Sequence, residues 1–232
     1  NTTGTTLAVT GLTNGTSYKL TVLANNSQGA SAASSAVPAT PKFAMKLTST
    51  RSAYKAISGN MVTFSGVLTR SSSGARVRDA SIVVVFVPEV GSNKVVRLTT
   101  SSTGVWSTRF APIYNTKITV RYYGSSLNAA VAATSTKIFV LPRVTRTSPA
   151  NNSSSGAGTT LLVKGTVSPN KAGKTVTLMR GTTRVGSALV ARDGTFSIPS
   201  RLARGSYTLH VAIAATTGNI AGKSAAFTIK RT

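Results

Sequence analysis

Apolar and polar positions alternate with a period of two along most of this chain. In ASIVVVFV (80–87), Ile82, Val84 and Phe86 take one face and Val83, Val85 and Val87 the other. In TKITVRYYG (116–124), Ile118, Val120 and Tyr122 alternate with Thr119, Arg121 and Tyr123. In TKIFV (136–140), Ile138 and Val140 alternate with Lys137 and Phe139. Successive side chains of a strand point to opposite faces, so each run reads as a strand with one face toward a core. Gly, Asn, Ser and Pro cut such runs about every eight to twelve residues, and helix signals are nearly absent. The pattern predicts an all-β chain of antiparallel sandwiches.

The strands fall into three segments. Residues 43–142 predict seven: FAMKLTST, NMVTFSGVLTR, ASIVVVFV, KVVRLTT, VWSTRFA, TKITVRYYG and TSTKIFV. Residues 143–232 predict seven more: RVTRT, TTLLVKGTVS, KTVTLMR, RVGSALVA, GTFSIP, GSYTLHVAIA and KSAAFTIK. The two segments repeat each other loosely. FSGVLT answers VKGTVS, KITVRY answers YTLHVA, and TGVWS answers DGTFS, which places Trp106 and Phe196 in equivalent strands. A glycine in the second strand, a polar-Gly-X-aromatic turn and a closing alternating strand resemble bacterial immunoglobulin-like domains found in tandem on secreted and surface proteins, particularly of actinobacteria.

Residues 1–42 differ. Leu12, Gly15 and Tyr18 resemble the tyrosine corner of fibronectin type III domains, and Ala24, Asn25, Gly29 and Ser31 match that family's next turn. The resemblance covers residues 5–41 and only the last three strands of such a domain. It implies a longer parent chain with more such modules upstream. The alternatives are a cut at a poor boundary and strands supplied by another subunit. At the other end FTIKRT stops two residues after its strand and reads as a natural end. The expected linkers, ATPK (39–42) and LPRV (141–144), are short, and Pro41 and Pro142 stiffen them by fixing φ. A rod of domains is expected. LPRVT resembles a sortase sorting signal, but it lacks the glycine and has no apolar tail behind it.

Charge changes the picture. The chain has 27 Lys+Arg against 3 Asp+Glu, a net charge of +24. It is uneven: +2 over 1–42, +10 over 43–142 and +12 over 143–232. Such a chain attracts polyanions non-specifically, with teichoic acid, acidic polysaccharide and nucleic acid as the anionic partners. The competing reading is a compositional habit of a basic proteome. There is no cysteine, which fits a cytosolic protein or a bacterial surface protein without disulfides. No apolar run reaches the length of a membrane span.

Catalytic groups are scarce. Asp79 and Glu89 flank one strand, about 30 Å apart along an extended run, too far for a paired-carboxylate site. Asp193 sits in the turn RDGT, and His210 points outward from YTLHVAI with no nucleophile motif to serve. Three scattered acids, one His and no Cys predict neither calcium nor zinc nor any other cofactor. A Lys–Asn isopeptide bond, known in some bacterial immunoglobulin-like domains, needs a buried acid beside the Lys, and the candidate acid, Glu89, lies just past Pro88, which marks the end of its strand. No stacking platform or docking helix for nucleic acid is evident.

These observations predict a non-enzymatic structural or adhesive module of a bacterial extracellular protein: a stalk, a filament component or a surface-attachment region. Its partners would be other subunits or domains of the same assembly. The alternatives are a targeting module of a larger secreted enzyme and a phage fibre or decoration domain. The sharpest site expectation is a contact surface on residues 43–142. The outward residues Val83, Val85, Val87, Tyr123 and Phe139 would merge into one apolar patch, rimmed by Arg121 and Lys137. The equivalent strand of the next segment shows Thr175, Thr177 and Met179 outward, so the patch is not a family necessity.

Overall fold

A computed structural model describes residues 4–232, and every helix or strand element among them is a β-strand. In residues 4–42, β1 (Tyr18–Leu20) pairs with β4 (Val37–Ala39), and β2 (Asn25–Asn26) with β3 (Gly29–Ala30). The tyrosine corner is formed: the Thr13 N–H donates to the Tyr18 hydroxyl at 2.9 Å. No second sheet faces these strands among the described residues, and Leu7, Val9, Val22 and Val37 are exposed.

Residues 43–142 build two facing sheets. Their strands are β5 (Met45–Leu47), β6 (Thr50–Arg51), β7 (Lys55–Ile57), β8 (Val62–Arg70), β9 (Ser81–Pro88), β10 (Lys94–Thr99), β11 (Val105–Phe110), β12 (Thr116–Tyr122), β13 (Val131–Ala132) and β14 (Thr136–Leu141). One sheet runs β10-β9-β12-β14-β7 and the other β11-β8-β5, with β6 also on β8. Residues 143–232 repeat the scheme with β15 (Arg143–Ser148), β16 (Ser153–Ser155), β17 (Leu161–Ser168), β18 (Thr175–Arg180), β19 (Thr183–Leu189), β20 (Thr195–Ser200), β21 (Gly205–Ile213), β22 (Gly222–Lys223) and β23 (Phe227–Arg231). Here the sheets are β16-β23-β21-β18-β19 and β15-β17-β20. Only Pro142 separates β14 from β15.

Strand pairing is antiparallel except β7 with β14 and β16 with β23, which are parallel. Both exceptions have one origin. The first predicted strand of each unit stays beside β8 or β17, and a short strand that the alternation did not predict, β7 or β16, follows it and crosses to the last strand of the opposite sheet. In the later unit the break between them falls at Pro149, which has no N–H to continue a ladder.

The inward faces read from the alternation form two separate cores. Ile82, Val84, Phe86, Ile118 and Ile138 lie in the first, and Val163, Val176, Leu178, Ile198 and Leu209 in the second. Each such side chain contributes about 1.5–3 kcal/mol by leaving water. The shared glycine has a physical cause. Gly66 on β8 is paired with Trp106 on β11, and Gly165 on β17 with Phe196 on β20. A Cβ on Gly66 would lie 1.9 Å from the Thr48 carbonyl oxygen and 2.7 Å from Trp106 Nε1. On Gly165 it would lie 2.1 Å from the Thr145 carbonyl oxygen and 2.4 Å from Phe196 Cζ. The aromatic ring of one strand occupies the space that a side chain on its neighbour would need, so the turn motif and the strand glycine are two halves of one contact.

Candidate contact surface

The outward face of the β10-β9-β12-β14-β7 sheet is fixed by register. Val85 lies between Val95 on β10 and Thr119 on β12, and Val83 between Arg97 and Arg121. Val87 faces Lys117, which faces Lys137. Phe139 faces Lys55 on β7. With neighbouring strands about 4.8 Å apart, β12 therefore inserts a column of Lys117, Thr119 and Arg121 between the β9 valines and Phe139.

This geometry corrects the expectation of one merged apolar patch. β9, β12 and β14 are neighbours as the sequence implied, but β12 is the middle strand and its outward residues are polar. Val83 is only 8% exposed, because the long stems of Arg97 and Arg121 flank it. Val85 and Val87 are half-buried. The half-buried Phe139 ring packs tilted against Tyr54 with centroids 5.0 Å apart, and Lys137 Nζ lies 5.2 Å from its centroid. Tyr123, 67% exposed, projects just beyond the end of β12. The surface is thus a short valine column and two separated aromatics among exposed cations: Lys55, Arg97, Lys117, Arg121 and Lys137.

This face carries more exposed cations than the opposite sheet of the same unit. The opposite sheet of the same unit presents Thr63, Ser65 and Thr69 along β8, with Lys46 and Arg109 on its flanking strands. The corresponding sheet of residues 143–232 presents Thr175, Thr177 and Met179 along β18, paired with Leu189, Ser187 and Arg184 on β19, with exposed Lys223 on β22 and Lys230 on β23. Composition gave the excess charge, but only the strand order gathers it.

The three acids are all engaged. Glu89 accepts from Lys137 Nζ at 2.5 Å and from Asn115 Nδ2 at 3.0 Å. The Lys137 bond holds its carboxyl below the usual range, against the opposing effect of burial. Lys, Asn and acid, the three groups of an isopeptide site, therefore do meet. They meet at a half-exposed edge, where Lys137 and Glu89 form an ion pair. Asp193 accepts from the Thr195 N–H at 3.0 Å and from its hydroxyl at 2.8 Å, closing the predicted turn, and these bonds lower its pKa. Asp79 lies 4.0 Å from Arg78, both exposed. Half-buried His210 is paired in register with Met179 on the outward side of β21. Among the described residues no group of three or more His, Cys, Asp or Glu side chains comes together, and no helix is long and apolar enough to cross a membrane.

No family model matches the chain, and no curated protein does. Among solved structures it is similar to a tetra-tandem repeat in the extending region of a large adhesion protein: 16% identity, TM-score 0.40, 93% of this chain and 56% of that one. It is also similar to a C-terminal 282-residue fragment of intimin solved with the intimin-binding domain of the translocated intimin receptor, at 13% identity and TM-score 0.39, over 80% of this chain and 64% of that one. Fibronectin(III)-like modules of CbhA from Clostridium thermocellum match at 15% identity and TM-score 0.29, over 81% and 92%. This chain spans little more than half the length of the first of these. All three likenesses are loose.

Proposed function

We propose that the chain is a non-enzymatic spacer and attachment module of a bacterial extracellular protein. The observation that carries this reading is the succession of two complete sandwiches joined through a single residue, Pro142, between β14 and β15. Such a connection sets distance and direction. The side chains support it: apolar residues fill two cores, and the acids serve a turn or an ion pair. Within this reading the β10-β9-β12-β14-β7 face is the contact surface, and anionic polymers are its partners. The five exposed cations gathered there favour that assignment over a uniformly basic shell.

Beads carrying the chain should be retained on a phosphate- or uronate-bearing polymer at low salt and released as salt rises, with the polymer left intact. Breakdown of the polymer, or no retention at low salt, would overturn the proposal. A charge-matched pair of variants locates the surface. Replacing Arg97, Lys117 and Arg121 with Ser should lower the slope of log K against log salt on polyphosphate by about 0.7–0.9 for each phosphate no longer neutralised. Replacing the exposed Arg192, Arg201 and Arg204 with Ser removes the same charge and should change it less.

A further inference from the structure

The ladder between β12 and β14 stops at the pair Thr116↔Ile138. Val140 lies two residues further along β14, is fully buried, and must still satisfy its backbone groups. Its N–H donates to Oδ1 of Asn115 at 2.8 Å. Its carbonyl accepts two bonds from residues 143–232: Nδ2 of Asn219 at 3.1 Å and the N–H of Ile220 at 3.0 Å. A core strand of one sandwich is thus completed by the next.

The segment that reaches across, residues 214–221, joins β21 to β22 and is shaped for the task. Thr216 and Asn219 exchange both backbone hydrogen bonds at 3.0 Å, which makes a tight turn with Gly218 at φ +81°. A side chain at Gly218 would be strained by that φ and would lie 2.9 Å from Tyr114 Cδ1 and 3.0 Å from Val90 Cγ2. Bare of a side chain, Gly218 approaches closely enough for its carbonyl to accept from the Asn115 N–H at 2.6 Å. Asn219 is 1% exposed and also donates to the Ile113 carbonyl at 3.0 Å. Arg143 adds a strut from the far side of the junction, donating to the Ser58 carbonyl at 3.3 Å and to Asn60 Oδ1 at 2.6 Å. Two independent beads would leave these groups in water. Here Asn219 and the Val140 backbone are withdrawn from it, and a buried polar group that loses its partner carries a desolvation penalty; Asn219 Oδ1 and Thr216 Oγ1 are buried without a partner.

We infer that residues 214–221 are a latch that makes the two sandwiches one cooperative folding unit, closed by Asn219. This goes beyond the spacer reading and does not depend on it. Removing the Asn219 side chain strips the Ile113 carbonyl of that bond and leaves the Val140 carbonyl with Ile220 alone, so the first sandwich loses more than the second.

The sole tryptophan, Trp106, is 1% exposed in the core of the first sandwich and reports its unfolding. Amide hydrogen exchange across β17 and β20 reports the second. In the whole chain the two probes should give one urea midpoint. In Asn219→Ala the Trp106 midpoint should fall ahead of the exchange midpoint by about 1 M urea, the scale set by removing one or two buried hydrogen bonds. Separate midpoints in the unaltered chain would overturn the inference, as would coincident midpoints in the variant. If Asn219→Ala does not fold, Arg143→Ala, which removes the half-exposed strut, should open a smaller gap between the probes. Coincident midpoints there would count equally against the latch.

Discussion

The two sandwiches share a frame and differ in what stands on it. Each crosses a strand glycine with an aromatic ring from its neighbour, beneath a carbonyl oxygen from the unit's first strand segment. In the first sandwich the ring is Trp106, and its Nε1 donates to that carbonyl, on Thr48, at 3.2 Å. In the second it is Phe196, which has nothing to donate. Conversely, the second sandwich has a tyrosine tie, Tyr207 Oη donating to the Ala203 carbonyl at 3.0 Å, and the same residue type anchors the corner at Tyr18. The glycine–ring crossing is a steric requirement and recurs. The polar ties are local solutions and move from unit to unit.

The largest test of this comparison is Gly66→Ala beside Gly165→Ala. In both, the new Cβ meets a backbone oxygen near 2 Å, 1.9 Å in one and 2.1 Å in the other. Neither backbone can yield cheaply, and each variant should lose about 3 kcal/mol or more in urea unfolding. An alanine tolerated at one site and not at the other would break the equivalence. Trp106→Phe should cost about 2 kcal/mol, the indole volume plus a carbonyl left without its donor. Tyr207→Phe should cost about 1 kcal/mol. The smallest effect is pH-dependent. Glu89 has a depressed pKa in the folded chain, through Lys137 first. Its contribution is therefore present above the ordinary carboxylate pKa and is lost as pH falls through the lower folded value. Glu89→Gln should remove that acid-side loss of Trp106-monitored stability and leave the one that Asp193 contributes through its own lowered pKa.

Much of this was legible in the sequence. The inward set on β9, β12 and β14, the equivalence of Trp106 and Phe196, and the outward His210 all follow from a period of two, which burial of one face enforces. The short strands β7 and β16 that follow the first predicted strand of each unit were not legible, because a segment such as SAYKAIS has the same alternation whichever sheet takes it. The contact surface was legible only by strand. Val83, Val85 and Val87 do face outward, but whether neighbouring columns merge depends on what lies between them, and Lys117 and Thr119 interrupt the face. The latch gave no signal. AATTGNIAG reads as an ordinary polar loop, and only the docked structure shows Asn219 buried against Ile113 and Val140.

The two parallel pairings have a mechanical consequence. Each sandwich places a strand near its chain entry, β7 or β16, beside the strand at its exit, β14 or β23, running in the same direction. Tension applied at the two ends drags these neighbours past each other along a common line. Their hydrogen bonds are then loaded in shear and share the force, whereas an antiparallel hairpin pulled at its open end peels one bond at a time. In the second sandwich Arg231 adds a cross-piece, bonding Ser155 and Thr159 from the end of β23. Stretched between its ends, each sandwich should hold its length up to a threshold force and then yield abruptly.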